Sequence, residues 1–232
     1  FACRCGKSKE VIDMSGLSNS PRPIKGGIVL VDPSSGTVLR SIAMQYNPDS
    51  ISRSYQVQGV GGEAGDRLDV LRLKGPPIET IKVEAELDVT DALEAARLSP
   101  STAVALGLQP QIAALETLIY PDSGTIRSNQ QLAQTGTLEI TPAQTPIILF
   151  VWSRNRIIPV RITDLTVTEE AFDSNLNPIR AKVAMTMRTL STTDFPSGHR
   201  GNSLYLAYQE TKERFSTLVA TAPLSELGVT SL

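Results

Sequence analysis

The chain has 232 residues, with 22 Lys plus Arg against 24 Asp plus Glu, one His and two Cys, for a net charge of -2. That length buries a core without disulfides or metals. The charge lacks the positive field of a non-specific nucleic-acid or anionic-membrane binder, and one His with two Cys cannot build an internal His/Cys zinc site. The longest apolar run, Ile147 to Trp152, is far short of the roughly twenty residues of a membrane-spanning helix, so no direct membrane insertion is expected.

Residues 1–22 mix basic and small residues around Cys3 and Cys5 without an apolar h-region. They read as a flexible arm, or one lying against a neighbouring subunit, and not as a secretory signal. Two cysteines are too few for a disulfide framework and point to a reducing cytoplasm. Residues 23–200 read as one β domain. Gly27 to Val31, the turn cluster Asp32-Pro33-Ser34-Ser35-Gly36 and Val38 to Tyr46 predict a hairpin. After Asn47-Pro48-Asp49, Ile51 to Gln58 predicts a strand with Ile51, Arg53, Tyr55 and Val57 on one face. The glycines from Gly59 to Gly65 make a connection whose spacing does not fit a dinucleotide loop, and Arg67 to Leu73 alternates again. Gly75-Pro76-Pro77 breaks the chain before Ile81, Val83, Ala85 and Leu87 alternate with Lys82, Glu84 and Glu86.

The middle third changes period, with inserted helices expected over about 91–120. Asp91 with Glu94 forms a capping box for a helix through Leu98. Pro110 opens a second helix that buries Ile112, Leu115 and Leu118 or Ile119 before Pro121. Residues 122–146, rich in Gln, Thr and Asn, are expected to form a long loop.

Ile147 to Trp152 then predicts a buried strand, Arg154-Asn155-Arg156 a turn, and Ile158, Val160 and Ile162 a strand that Leu165 to Phe172 continues. Asp173 to Pro178 reverses the chain. In the returning strand Ile179, Ala181, Val183, Met185 and Met187 face the core opposite Arg180, Lys182, Ala184, Thr186 and Arg188. Residues 201–232 hold a helix with Ser203 as N-cap, apolar Leu204, Tyr208, Phe215 and Leu218, a Glu210/Arg214 pair and a short tail. The class is mainly β with flanking helices, an α+β fold.

No catalytic, cofactor-binding or metal-ligating residue is assigned. His199 sits in a Pro/Ser/Gly loop without a nucleophile and an orienting acid, and reads as a solvent-exposed loop histidine. Glu84 and Glu86 share a face with Lys82 and read as an outward polar row. Few aromatics leave few stacking platforms. The outward side of the Ile157–Leu190 ribbon, with Arg161, Arg180, Lys182, Thr186 and Arg188, supplies the interface or channel candidates. It is expected to be basic and to form the main ring contact.

Several segments together carry a resemblance: Met44-Gln45-Tyr46-Asn47-Pro48-Asp49-Ser50, Gly75-Pro76-Pro77-Ile78-Glu79-Thr80-Ile81, Leu87-Asp88-Val89-Thr90-Asp91, the helix from Pro110 to Tyr120, Ile148-Leu149-Phe150-Val151-Trp152, Ile158-Pro159-Val160-Arg161, Glu169 to Asp173, and Leu176-Asn177-Pro178-Ile179-Arg180-Ala181. In this order, over residues 26–190, the chain resembles the tube and hub-adaptor family of contractile injection systems, the phage-tail-like machines. The resemblance implies a tail-tube-like antiparallel β-barrel or sandwich that assembles with itself as a six-fold ring. Its implied partners are the tube, hub-spike and baseplate or cap proteins of one particle, built in the bacterial cytoplasm and then released or membrane-anchored. No recognisable LysM module follows the barrel. The expected function is that of a structural ring component of the inner tube or baseplate hub, with no enzymatic activity and no cofactor. A cap adaptor at the distal end of the tube is the alternative station. From other classes, a ligand- or carbohydrate-binding β domain and a hydrolase using Glu84 or Glu86 with His199 are the competing readings.

Overall fold

The computed structural model describes residues 24–59, 72–90, 100–134 and 145–228. Among the described residues seven strands, β1 (Gly27–Val31), β2 (Val38–Ala43), β3 (Ile51–Gln56), β4 (Ile78–Asp88), β5 (Ile147–Ser153), β6 (Arg156–Phe172) and β7 (Pro178–Thr189), form one antiparallel sheet in the order β2-β1-β5-β6-β7-β4-β3. The α-helices that lie wholly within the described residues are α1 (Pro100–Leu106), α2 (Gln109–Glu116), α3 (Ser123–Gln134) and α4 (Arg200–Ser216), and a short 3-10 helix spans Leu224–Leu227. The class expected from sequence, mainly antiparallel β with a few helices, is the one observed.

Alternation explains the long strands. On β4, Ile81, Val83, Ala85 and Leu87 are buried while Lys82, Glu84 and Glu86 are exposed; β7 buries Ala181, Val183, Met185 and Met187 in the same way. Each of the larger side chains contributes about 1.5–3 kcal/mol by leaving water. On β6 the period breaks once. Ile162 pairs Met187 and Asp164 pairs Thr186, leaving Thr163 as the extra residue of a bulge whose hydroxyl donates to the Thr186 carbonyl at 3.1 Å. The bulge moves the inward phase from Ile158, Val160 and Ile162 to Leu165 and Val167.

The sheet is curled. Ile42 on β2 and Ile51 on β3 pack against one common core cluster, although six strand spacings, roughly 29 Å, would separate them in a flat sheet. The two edge strands do not pair. The connection 44–50 joins them, and the buried Gln45 ties it to the end of β4: Nε2 donates to the Asp88 carbonyl at 2.7 Å, and Asp88 N–H donates to Oε1 at 3.1 Å.

Helix α2 enters the core with Ile112 and Leu115, preceded by buried Leu108, whose N–H donates to the Pro178 carbonyl at 2.9 Å. Gly107, at φ +57°, makes this approach possible, because a Cβ there would collide with the Pro178 carbonyl oxygen. Helix α4 contributes Tyr205 and Tyr208 to the same core. Its Leu204 packs on Val31, Ile147 and Leu149, which form a smaller cluster on the opposite face of β1 and β5.

Three expectations are corrected. The stretch 122–146 is not one long loop, since it contains α3, whose start is capped by the Asp122 carboxylate accepting from Gly124 N–H at 2.9 Å and Thr125 N–H at 3.2 Å. The N-cap of α4 is His199, not Ser203: its backbone is extended, its Nδ1 accepts from Gly201 N–H at 3.1 Å and its ring stacks on Phe195, so it is half-buried and not a free loop histidine. On α4 the side-chain contact at i,i+4 is Gln209–Glu213, at 3.2 Å. Helix α1 falls inside the 91–120 span expected to be helical, between the two helices assigned there. The arm, the helix expected over Asp91–Leu98 and most of the Arg67–Leu73 strand lie outside the described residues. Among the described residues no helix is long and apolar enough to cross a membrane.

Candidate functional site: the outward sheet face and the free strand edges

The pairing of β4, β7 and β6 brings all five sequence candidates to one surface. Arg161 lies opposite Arg188, which lies opposite Thr80; Thr186 lies opposite Lys82; Lys182 lies between Glu86 and Thr168; Arg180 lies between Asp88 and Glu170. All point away from the core, as alternation predicts.

The expected basic character is not there. Arg180 pairs with Asp88 at 3.4 Å, Lys182 with Glu170 at 3.0 Å and Arg188 with Asp194 at 2.7 Å. The hydrogen bond and charge of Glu170 raise the Lys182 ammonium above its usual range. At Asp88, burial alone would raise the carboxyl, yet hydrogen bonds from Thr90 and Arg180 hold it below its usual value. With Glu84, Glu86 and Asp164 on the same surface, acids match bases. The face is hydrated and charged without a dominant sign, and its exposed pairs add little stability.

Backbone edges tell a second story. β7 is paired with β4 along one side and β6 along the other, so it has no edge to offer. Within the ribbon, β7 therefore cannot be a strand donor. β6 differs along its length, because β5 covers only Arg156 to Val160. From Arg161 to Phe172 its far side meets no strand among the described residues. With the outer sides of β2 and β3, this makes three unpaired edges.

Glu84 and Glu86 project into a surface hollow walled by Tyr46, Asp49, Thr168 and Lys182 among others, and His199 is not among its lining residues. The structure does not bring the three hydrolase candidates together. No group of three His, Cys, Asp or Glu with metal-binding spacing occurs among the described residues.

The sequence model of the contractile injection system tube proteins matches residues 30–195. The chain belongs to this family. No curated protein matches it at a significant level. Among solved structures, a chain from the tail of an empty GTA particle, refined with C6 symmetry, is 15% identical, with 71% of this chain and 90% of that chain covered at a TM-score of 0.30. The assignment rests on the family model alone.

The tube-family match ends before α4, yet α4 is locked to the matched sheet by a charged cluster that alternation alone did not single out. Glu79, on the inward face of β4 and nearly inaccessible, accepts from Tyr208 OH at 3.0 Å, Tyr55 OH at 3.0 Å and Lys212 Nζ at 3.0 Å, with Arg53 at 3.7 Å. The Lys212 ammonium also lies 4.0 Å from the Tyr208 ring centroid. Burial first, and then the Glu79 charge, push the Tyr208 hydroxyl above its ordinary range. The available signal was an acid in phase with Ile81, Val83 and Leu87, and therefore facing the core.

Proposed function

We propose that this tube-family protein is a non-catalytic, ring-forming structural subunit that adapts the inner tube to a neighbouring baseplate, hub or end component. The observation that carries the reading is the set of free edges. The open stretch of β6 bears Arg161, Asp164, Glu169 and the Lys182-paired Glu170, whereas the edge strand β2 bears Arg40 and β3 bears Arg53, which lies 3.7 Å from Glu79, and neither bears an acid. An unlike pair of edges suits a heterologous contact repeated around a closed ring, and the closure hides strands that would otherwise template aggregation.

In this reading the surface of Arg161, Arg180, Lys182, Thr186 and Arg188 turns toward the channel or the next ring. A sign-balanced, hydrated surface suits either position. The partners are further copies of this chain and the tube, hub-spike, baseplate or cap proteins of the same particle, assembled in the cytoplasm without a cofactor. A cap station at the distal end of the tube uses the same edges.

The test uses the two exposed neighbours Thr168 and Glu169. In an antiparallel strand successive N–H groups point to opposite sides, so Thr168→Pro and Glu169→Pro remove one ladder donor and one free-edge donor. The variant that spares the ladder should fold and fail to form rings. Rings of unchanged yield in both variants contradict the edge assignment.

A further inference from the structure

The connection 44–50 and the outward pleats of β4, β7 and β6 enclose a surface hollow of about 730 Å³, within the size range of pockets that take ligands. Asp49, Glu84 and Glu86 line it, exposed and without an ion pair among the described residues. Lys182, the base in the described lining, is already held by Glu170 at 3.0 Å. The hollow is therefore a local excess of acid on a face that is balanced as a whole. Its carboxylates are not grouped as metal ligands, and what fits them is a set of separate cationic side chains.

The described chain begins at the rim of this hollow. Asn47, one of the lining residues, donates from Nδ2 to the Ile24 carbonyl at 2.9 Å and accepts at Oδ1 from Gly26 N–H at 2.9 Å. Between these two bonds, Lys25 Nζ donates to the Gln45 carbonyl at 2.7 Å. Residues 1–23 are thus tethered at Asn47. They carry Arg4, Lys7, Lys9 and Arg22 against Glu10 and Asp13, an excess of base. Reach is not limiting: the stretch from Lys9 to Ile24 spans up to roughly 50 Å when extended. The row Glu86, Lys182 and Thr168 crosses the hollow from β4 to β6, only two strand spacings or about 10 Å.

We propose that residues 1–23 seat in the acidic hollow of their own chain, with Arg22 and the basic stretch Arg4 to Lys9 against Asp49, Glu84 and Glu86. Each exposed ion pair is weak by itself. The tether at Asn47 makes the encounter intramolecular, and a short link raises the effective concentration to about the millimolar range, so a few weak pairs suffice. A proline on each side of Arg22 lowers the chain entropy lost when that part is held. The contact lies within one subunit and does not depend on the ring reading.

The experiment follows tryptic cleavage after Lys7 and Lys9 in the purified 232-residue chain, as wild type, as the double variant Glu84→Gln with Glu86→Gln, and as Arg22→Gln. Equal thermal midpoints establish that the variants are folded, and Arg22→Gln leaves the sheet itself untouched. Cleavage should be about tenfold faster in the double variant, the size to which a few exposed pairs can sum, and faster than wild type in Arg22→Gln. Wild-type protection should vanish at about 0.5 M salt. Zero-length carbodiimide coupling of the wild type should join Lys7 or Lys9 to Asp49, Glu84 or Glu86 in chains that still run as monomers on a denaturing gel. Wild-type cleavage as fast as that of both variants overturns the proposal. Coupled peptides confined to the dimer band put the segment on another copy and overturn it as well.

Discussion

Gln45 meets Asp88 as a neighbouring strand would, its side-chain amide both donating to the Asp88 carbonyl and accepting from the Asp88 N–H. Because Gln45 is buried, Gln45→Ala leaves both backbone groups without partners. The expected cost is about 2 kcal/mol, within the usual penalty for unsatisfied buried polar groups, read as a lower urea midpoint at constant slope. An unchanged midpoint would show that the connection 44–50 does not depend on this clamp.

Glu79 gathers two tyrosine hydroxyls and a lysine at one buried carboxylate. Removing it strands the partners, so Glu79→Ala should cost about 3–5 kcal/mol. Tyr208→Phe, which deletes one hydrogen bond, should cost about 1 kcal/mol. Hydrogen exchange should speed up along α4 in the first variant before it does in β5 and β6. A loss below about 1 kcal/mol for Glu79→Ala, the net worth of a single ordinary hydrogen bond, would contradict the locking role.

Asp32 sets an acid-dependent turn between β1 and β2. Hydrogen bonds from the Ser34 hydroxyl and then the Ser35 N–H lower its carboxyl from 3.8 to about 2. Since the folded value lies below the unfolded one, these bonds stabilise the turn fully above about pH 4 and lose their effect as pH falls toward 2. The Ser34 and Ser35 amide resonances should titrate with a midpoint near 2. A midpoint near 4 would refute the arrangement, and Asp32→Asn should abolish the transition.

Gly107 combines a left-handed backbone with contact against the ribbon. Gly107→Ala should cost about 1–3 kcal/mol from backbone strain, with further loss from the displaced Pro178. The thermal midpoint should fall, and an unchanged one would mean that α1 and α2 move aside freely.

The strands were legible because β4 and β7 each bury one face, so two-residue alternation reports the core directly. The bulge at Thr163 is also written in the string, as the three-residue step from Ile162 to Leu165. Helix α3 was hidden because it buries no residue; its polar composition resembles a loop, and only Asp122 marks its start. Charge pairing was hidden for a different reason. Arg180 and Asp88 are 92 positions apart, and no local pattern shows that β4 lies beside β7. The same holds for the free edge of β6, which depends on how far β5 reaches along it. The candidates on β7 were therefore placed on the outward face with the wrong net charge, and within the Ile157–Leu190 ribbon expected to form the ring contact, only the β6 side keeps a free edge.

The central claim is that this tube-family chain closes rings through unlike strand edges. Its most direct test is the mass of the purified full-length protein, measured by native mass spectrometry and accompanied by electron-microscopy class averages of the same sample. The account predicts a single closed oligomer with rotational symmetry and a central channel. A protein that remains at 25.0 kDa at high concentration, or that pairs face to face as a two-fold dimer, would contradict it.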